Sequence, residues 1–295
     1  MSKAVSRRQL IRNSLLAAMG SSFIGKAAAS GLSTAAATGV DDGENGTDFK
    51  IGIASYSFRK LSLDDTIKAL QRLNLKYISI KDFHLALTST KVERAVAMQK
   101  LKDAGITPLS CGNITMQNNE ADIRRAFEYA KDCEMPAIVC SPDPASMAIL
   151  DRMVKEYDIK LAIHNHGPED KRFPSPYDVY KAVKGFDQRI GLCIDVGHTA
   201  RAKVNPAEAI IKCKDRLYDL HLKDINSLEA DGGTIEGGRG VLDLPAIVRA
   251  LQKVKYQHLV AIEFEGWEAD PLPAVAETVG YINGLLAISG KKKSV

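Results

Sequence analysis

The sequence predicts an α/β fold, a single-domain (β/α)8 TIM barrel, and three observations carry that reading. Apolar runs of strand formers alternate eight times with helix-forming segments between Phe49 and about Ile288. Most of the runs are continuous and not alternating, as in parallel strands buried on both faces. Polar residues able to do chemistry gather where the later runs end, the edge on which such barrels build their sites. A doubly wound open sheet is the alternative, and the regular count of eight favours closure. Barrels of this kind need roughly 250 residues, which a chain of 295 residues supplies.

Taken in order, KIGIASYSF (50–58) is the first strand, and Ser62 or Asp64 can cap a helix running to Leu73. YISIKDFHL (77–85) is the second, with a helix over 92–104 that stops at Gly105. ITPLSCG (106–112) is the third, with a helix over 120–133, and AIVCSP (137–142) the fourth, with a helix over 147–157. KLAIHNH (160–166) is the fifth; a helix over 176–183 follows a proline-rich loop. RIGLCIDVGH (189–198) is the sixth, and Pro206, suited to a first helical turn, opens a helix to about Cys213. LYDLHLKDI (217–225) is the seventh, followed by a long loop and a helix over 244–254. HLVAIEFEG (258–266) is the eighth, and a helix over 273–288 closes the barrel, giving it the bounds 49–289.

The ends of the chain read differently. Ser6-Arg7-Arg8-Gln9-Leu10-Ile11-Arg12 resembles the twin-arginine export motif, and a modestly apolar stretch and small residues follow it. Residues 1–40 are therefore expected to be an export signal, 41–48 a linker and 290–295 a basic tail, with the mature protein in the periplasm. The formal charge is +4, but residues 1–40 contribute five basic groups and no acid, leaving −1 on the rest. That balance gives no electrostatic footprint for nucleic acid. No stretch reaches the ~20 uninterrupted apolar residues of a spanning helix, so no membrane anchor is expected once the signal is removed. Five cysteines is an odd number, and Cys140 and Cys193 lie inside apolar runs, so buried free thiols are expected.

The function is concentrated in four strand ends. GLCIDVGH ends in Asp195 and His198, KLAIHNH in His164 and His166, LYDLHLKD in His221, Lys223 and Asp224, and LVAIEFEG in Glu263 and Glu265. Tyr56, Ser57, Lys81, Asp82, His84, Asn113 and Asp143 complete the predicted rim. An isolated polar residue at a strand end is commonly a helix cap. Four metal-competent residues on four consecutive strands point instead to one divalent ion.

IGLCIDVGH, LHLKD, GRGVLDLPAIVRAL (238–251) and AIEFE resemble the xylose isomerase-like barrel family of sugar phosphate isomerases and epimerases, over almost everything from Phe49 to Ile288. The resemblance implies one divalent ion held by Glu, Asp, His and Glu on strands five to eight. Asp195, His221 and Glu263 match, while the fifth-strand position, normally Glu, is His164. Two neutral imidazoles, an Asp and a Glu carry −2 where the family set carries −3, and imidazole suits Mn, Fe, Co or Zn better than Mg. The family's second metal-bound glutamate is then missing, so a second acid or base must come from elsewhere.

Lys81 and His166 are the first candidates for that group, with Glu263 and His198 as the other expected catalytic residues; Glu169 and His84 are further candidates. Substrate contacts are expected from His84, Asn113, Glu169, Lys223 and Arg239, the last on the glycine-rich loop 226–241, read either as a flap or as a solvated turn. The chemistry implied is enolisation of a small polyhydroxy carbonyl compound, giving an isomer or epimer. β-Elimination on a keto-sugar or keto-glycoside shares the same intermediate, and a non-enzymatic sugar-binding module is the alternative from another class. The expected partner is a small carbohydrate, and a homo-oligomer is compatible with the sequence.

Overall fold

Eight parallel strands close on themselves in the computed structural model, which describes residues 49–266 and 269–289. The expected signal, linker and basic tail lie outside the described residues. The strands are β1 (Lys50–Ala54), β2 (Tyr77–Ile80), β3 (Thr107–Met116), β4 (Ala137–Pro142), β5 (Lys160–His164), β6 (Ile190–Asp195) and β7 (Leu217–Leu222). A two-residue antiparallel ladder, β8 (Asp224–Ile225) with β9 (Thr234–Ile235), lies in the glycine-rich loop, and β10 (Leu259–Ile262) completes the ring. Closure is made by β10 against β1, in register from Lys50↔Leu259 to Ile53↔Ile262.

Helices α1 (Leu63–Arg72), α2 (Lys91–Asp103), α3 (Glu120–Asp132), α4 (Met147–Tyr157), α5 (Pro176–Val183), α6 (Val196–Arg201), α7 (Pro206–Lys212), α8 (Leu244–Lys253) and α9 (Leu272–Ser289) follow the strands. Their starts are set by local chemistry. Ser62 accepts from the Asp65 N–H, Thr90 and Glu93 form a capping box, and Asn205 caps α7 with Pro206 in its first turn. α9 is 18 residues long with a mean hydropathy of 1.2, enough by length and composition to cross a membrane, yet Ala274, Val275, Val279, Ile282 and Leu286 on it are buried in the barrel's core cluster.

Several elements differ from the sequence reading, among them β1, which stops at Ala54 before a 3-10 turn over Ser55–Phe58. β2 ends at Ile80, because the chain turns at Lys81–Leu85 where the apolar run suggested more strand. β3 continues past Gly112 to Met116, since after an irregularity it pairs again with β4 through Ile114↔Cys140. α6 was not predicted, as Gly197 argues against a helix there; Asp195 caps it nonetheless.

Side-chain alternation along each strand sorts the core into two zones. Ile163, Ile194, Leu220, Leu222, Val260 and Ile262 point outward into the large cluster beneath the helices. Full burial of each such side chain stabilises by about 1.5–3 kcal/mol. The inward residues two positions before the site are small: Ala162, Cys193 and Ala261 belong to separate minor clusters. All five cysteines are buried free thiols.

The loop after β7 is pinned by one carboxylate. Asp224, 1% exposed, accepts backbone N–H groups of Gly238 (2.9 Å), Gly240 (3.0 Å), Leu242 (3.2 Å) and Ile225 (3.0 Å). A Cβ at Gly240 would stand 2.2 Å from the Asp224 carboxylate, so glycine is required there. Replacing Asp224 by Ala would strand buried donors at about 1–3 kcal/mol each. Asp224→Ala is expected to lower unfolding free energy in urea by at least about 2 kcal/mol and to open the 226–241 loop to protease.

Candidate active site

Four strand ends bring their donors together. His164 and Asp195 are the last residues of β5 and β6, His221 is one from the end of β7, and Glu263 follows β10 directly. The register Asp195↔His221↔Ala261 sets their heights on the rim. His164 Nε2 lies 3.1 Å from His221 Nδ1 and 3.6 Å from Asp195 Oδ2; His221 Nδ1 lies 3.1 Å from Glu263 Oε2 and 3.9 Å from Asp195 Oδ2. One donor atom from each of the four lies within 4.8 Å of all the others, and all four residues are buried.

The set fits a divalent ion. A tetrahedral ion with bonds of about 2.0–2.1 Å sets its donors about 3.3–3.4 Å apart, which the observed separations bracket. Asp195 Oδ2 makes no hydrogen bond. Its other oxygen is already used, accepting the His198 N–H at 2.8 Å as the cap of α6. The backbone behind it is held by Asn165, which accepts the Asp195 N–H (3.0 Å) and donates to Thr199 Oγ1 (3.1 Å). Burial holds the His164 imidazole at about 3, hence neutral and able to offer a lone pair at neutral pH.

Lys223 supplies the positive charge around which the acids are packed. Its Nζ lies 2.9 Å from Asp195 Oδ2, 2.8 Å from Glu263 Oε2 and 2.5 Å from Glu265 Oε1. The Asp195 contact is ionic in distance but lacks hydrogen-bond geometry. Burial alone would raise both acids; for Asp195 the neighbouring His198 and Lys223 outweigh it, and for Glu263 the neighbouring His221 and Lys223, so both stay well below the usual carboxylate range. Burial would likewise depress the Lys223 ammonium, but Asp195, Glu263 and Glu265 hold it well above its ordinary value. Gly197 is what lets the lysine stem through, since a Cβ there would meet Lys223 Cγ and Cδ at 2.8 Å. In HLKD the histidine thus joins the group that could hold a metal, the lysine is a counter-charge and the aspartate the loop clamp.

The other half of the rim carries a polar network. Lys81 Nζ donates to the Asn113 carbonyl at 2.5 Å, and Asn113 Nδ2 reaches Ser141 Oγ (2.7 Å) and His166 Nε2 (2.8 Å). Burial lowers the Lys81 ammonium and the His166 imidazole. A cavity of about 260 Å³ is lined by Tyr56, Lys81, Asn113 and His166 together with His164, His198, His221, Glu263 and Glu265.

Four expected substrate contacts are placed otherwise. Arg239 turns to Glu277 on α9 (2.5 and 2.8 Å), where an exposed carboxylate is nearer than the cavity. His84 is buried and hydrogen-bonded by Ser55, Thr66 and the Phe58 carbonyl, so it holds the β1 and β2 ends together. Glu169 pairs with Arg201 at 2.5 Å, and Lys223 is engaged by carboxylates. Ser57 and Asp143 bond backbone N–H groups. The sequence reading assigned no site role to Glu265, although the spacing of Glu263 and Glu265 by two on a strand puts both on the inner face. Arg201 was also missed, and no local signal marks it.

A family model described as a xylose isomerase-like TIM barrel matches residues 35–283. The rhizopine catabolism protein MocC of Rhizobium meliloti is 26% identical over 150 residues, 46% of this chain and 45% of that protein, so the match spans less than half of the relative. Two solved structures are similar in fold. The IolI protein with a zinc atom aligns at 15% identity and TM-score 0.69, over 81% of this chain and 99% of its own. The 3-keto-D-glucoside 4-epimerase YcjR of E. coli aligns at 15% identity and TM-score 0.66, over 80% and 99%.

Asp195→Asn keeps an oxygen to cap α6 while removing a charge from the donor set, and His221→Ala removes a nitrogen. Each is expected to lose bound metal, measured per chain after gel filtration, by more than the about 10–100-fold that an outer partner is worth. Full metal occupancy in both folded variants would sink the assignment.

Proposed function

The chain belongs to the xylose isomerase-like TIM barrel family, and from that premise we propose that it is a metal-dependent isomerase or epimerase acting on a sugar or related polyhydroxy carbonyl compound. The observation that carries this reading is the convergence of His164, Asp195, His221 and Glu263 in one cluster, of which His164, His221 and Glu263 line a 260 Å³ cavity together with Lys81. The epimerase activity of YcjR and the zinc in IolI support it from the side of the fold.

A divalent ion held by the four donors, Mn, Co, Fe or Zn by the imidazole content of the set, would supply positive charge to the substrate's carbonyl and adjacent hydroxyl oxygens. Glu263 takes the proton from the carbon that bears that hydroxyl; the C–H electron pair becomes a carbon–carbon double bond and the carbonyl π pair moves onto its oxygen, giving an enediolate. Lys81 returns a proton from its ammonium, lowered by burial and so a readier donor than a solvated lysine. Delivery to the opposite face of the same carbon gives an epimer, and delivery to its neighbour an isomer. Asn113 holds Lys81 through its carbonyl and His166 through its amide. With its Nε2 occupied in that way, His166 ranks behind Lys81 as the proton donor.

His164 favours a second reading. Where the family carries two metal-bound glutamates, this chain has Glu263 alone, so proton transfer by matched glutamates is unavailable and expulsion of a β-substituent from the same enediolate becomes competitive. The test is incubation of metal-loaded protein with candidate keto-sugars in deuterated water, scoring C–H exchange and β-elimination together. Exchange without elimination supports the isomerase reading, and exchange with elimination the lyase reading. Binding with neither outcome leaves a sugar-binding module. Lys81→Met is expected to cut turnover by about 10²–10⁴-fold with bound metal unchanged, and His164→Glu to keep metal and move product towards the epimer. A His164→Glu variant silent in both assays, with wild type freely active, would remove His164 from the reaction.

The proposal places this enzyme in the periplasm, delivered by the twin-arginine-type segment at Arg7-Arg8. Replacing both by lysine should leave the precursor in the cytoplasm, assayed by fractionation; undiminished periplasmic accumulation would overturn the route.

A further inference from the structure

We propose that Arg201 holds His198 in its Nε2–H tautomer, making His198 a hydrogen-bond donor to a substrate oxygen and Arg201 a positioning residue. The role in turnover rests on the reaction proposed above; the tautomer does not. Arg201 Nη2 lies 2.5 Å from His198 Nδ1 and 2.5 Å from Glu169 Oε1, and its Nη1 donates to the Ala230 carbonyl. A guanidinium has donors only and stays charged. The Nδ1 it meets must therefore accept, because an N–H there would face another N–H. The ring proton is left on Nε2.

That nitrogen is the one turned to the site. His198 lines the cavity, its Nδ1 is occupied by Arg201, and Nε2 makes no hydrogen bond among the described residues. Arg201 sits three residues on from His198 in α6, one turn along the same face, and is 9% exposed. Gly167, at φ +91°, leaves space for the group: a Cβ there would stand 3.1 Å from Glu169 Oε2, 3.3 Å from Arg201 Nη2 and 3.5 Å from His198 Nδ1. One buried guanidinium thus ties the loop after β5 through Glu169 and the loop after β8 through Ala230 to the histidine between them.

The consequence is chemical. With Nδ1 blocked and Nε2 protonated, His198 donates to an oxygen, a carbonyl or the oxyanion that grows from it, and does not take a proton from carbon. The substrate must therefore present an acceptor oxygen to the α6 side of the cavity.

Nitrogen shifts of ¹⁵N-histidine-labelled wild type, metal-free and zinc-loaded, should give His198 a bare Nδ1 and a protonated Nε2. A protonated Nδ1 overturns the proposal, however the variants fold. In Arg201→Met the tautomer preference should be lost and kcat/KM should fall about tenfold, with Arg201→Lys, which still donates, recovering part of it. His198→Gln, whose amide N–H extends towards the ε position, should keep more activity than His198→Asn or His198→Ala, each down about 10²-fold. Equal activity of the Gln and Asn variants, or no kinetic loss in a folded Arg201→Met, overturns the role in turnover. The predicted tautomer in a protein that exchanges no sugar proton refutes the reaction alone.

Discussion

Lys223 carries its ammonium into a part of the rim where it is 3% exposed, within 2.9 Å of Asp195, Glu263 and Glu265. Buried carboxylates each cost several kcal/mol unless paired. Asp195 and Glu263 must be buried and ionised to serve as donors, and they cannot reach water to share the cost. The lysine lets the barrel fold with those charges in place. Three carboxylates and one ammonium leave a formal charge of −2, which one divalent ion cancels. The surrounding sequence accommodates this cation: Gly197 gives the stem its passage, and the neighbouring Asp224 closes the loop above it.

The same economy of groups runs through the donor shell. Asp195 divides its two oxygens between a helix cap and the His164–His221 cluster, so the local fold of α6 and the orientation of the carboxylate are one constraint. Asn165 and Thr199 bond the backbone on either side and leave little freedom in the Asp195 side chain. Preorganisation of this kind lowers the reorganisation needed when charge develops in a substrate. On the opposite rim, Asn113 does the corresponding work for Lys81 and His166.

His164 makes the two halves of the site unequal. A neutral imidazole in place of a carboxylate lowers the negative charge of the donor set and leaves one glutamate where the family has two. In the proposed reaction Lys81 is then the group whose proton completes a transfer begun at Glu263. Asymmetry of this sort suits a substrate that loses and regains its proton by different routes.

Strand order, helix order and the identity of the four donors were legible in the sequence, because they rest on local rules. A buried parallel strand needs a continuous apolar run, and its end is where polar groups are tolerated; His164, Asp195, His221 and Glu263 stand at such ends. Boundaries failed where pairing overrode local signals, as in β3, which resumes against β4 after Gly112. The fate of the charged side chains was decided only by tertiary structure. Arg239 found Glu277, Glu169 found Arg201, and Lys223 found Asp195, Glu263 and Glu265, over separations of 28 to 42 residues. A long charged side chain reaches whichever opposite charge the fold sets nearest, and no periodicity in the chain encodes that distance.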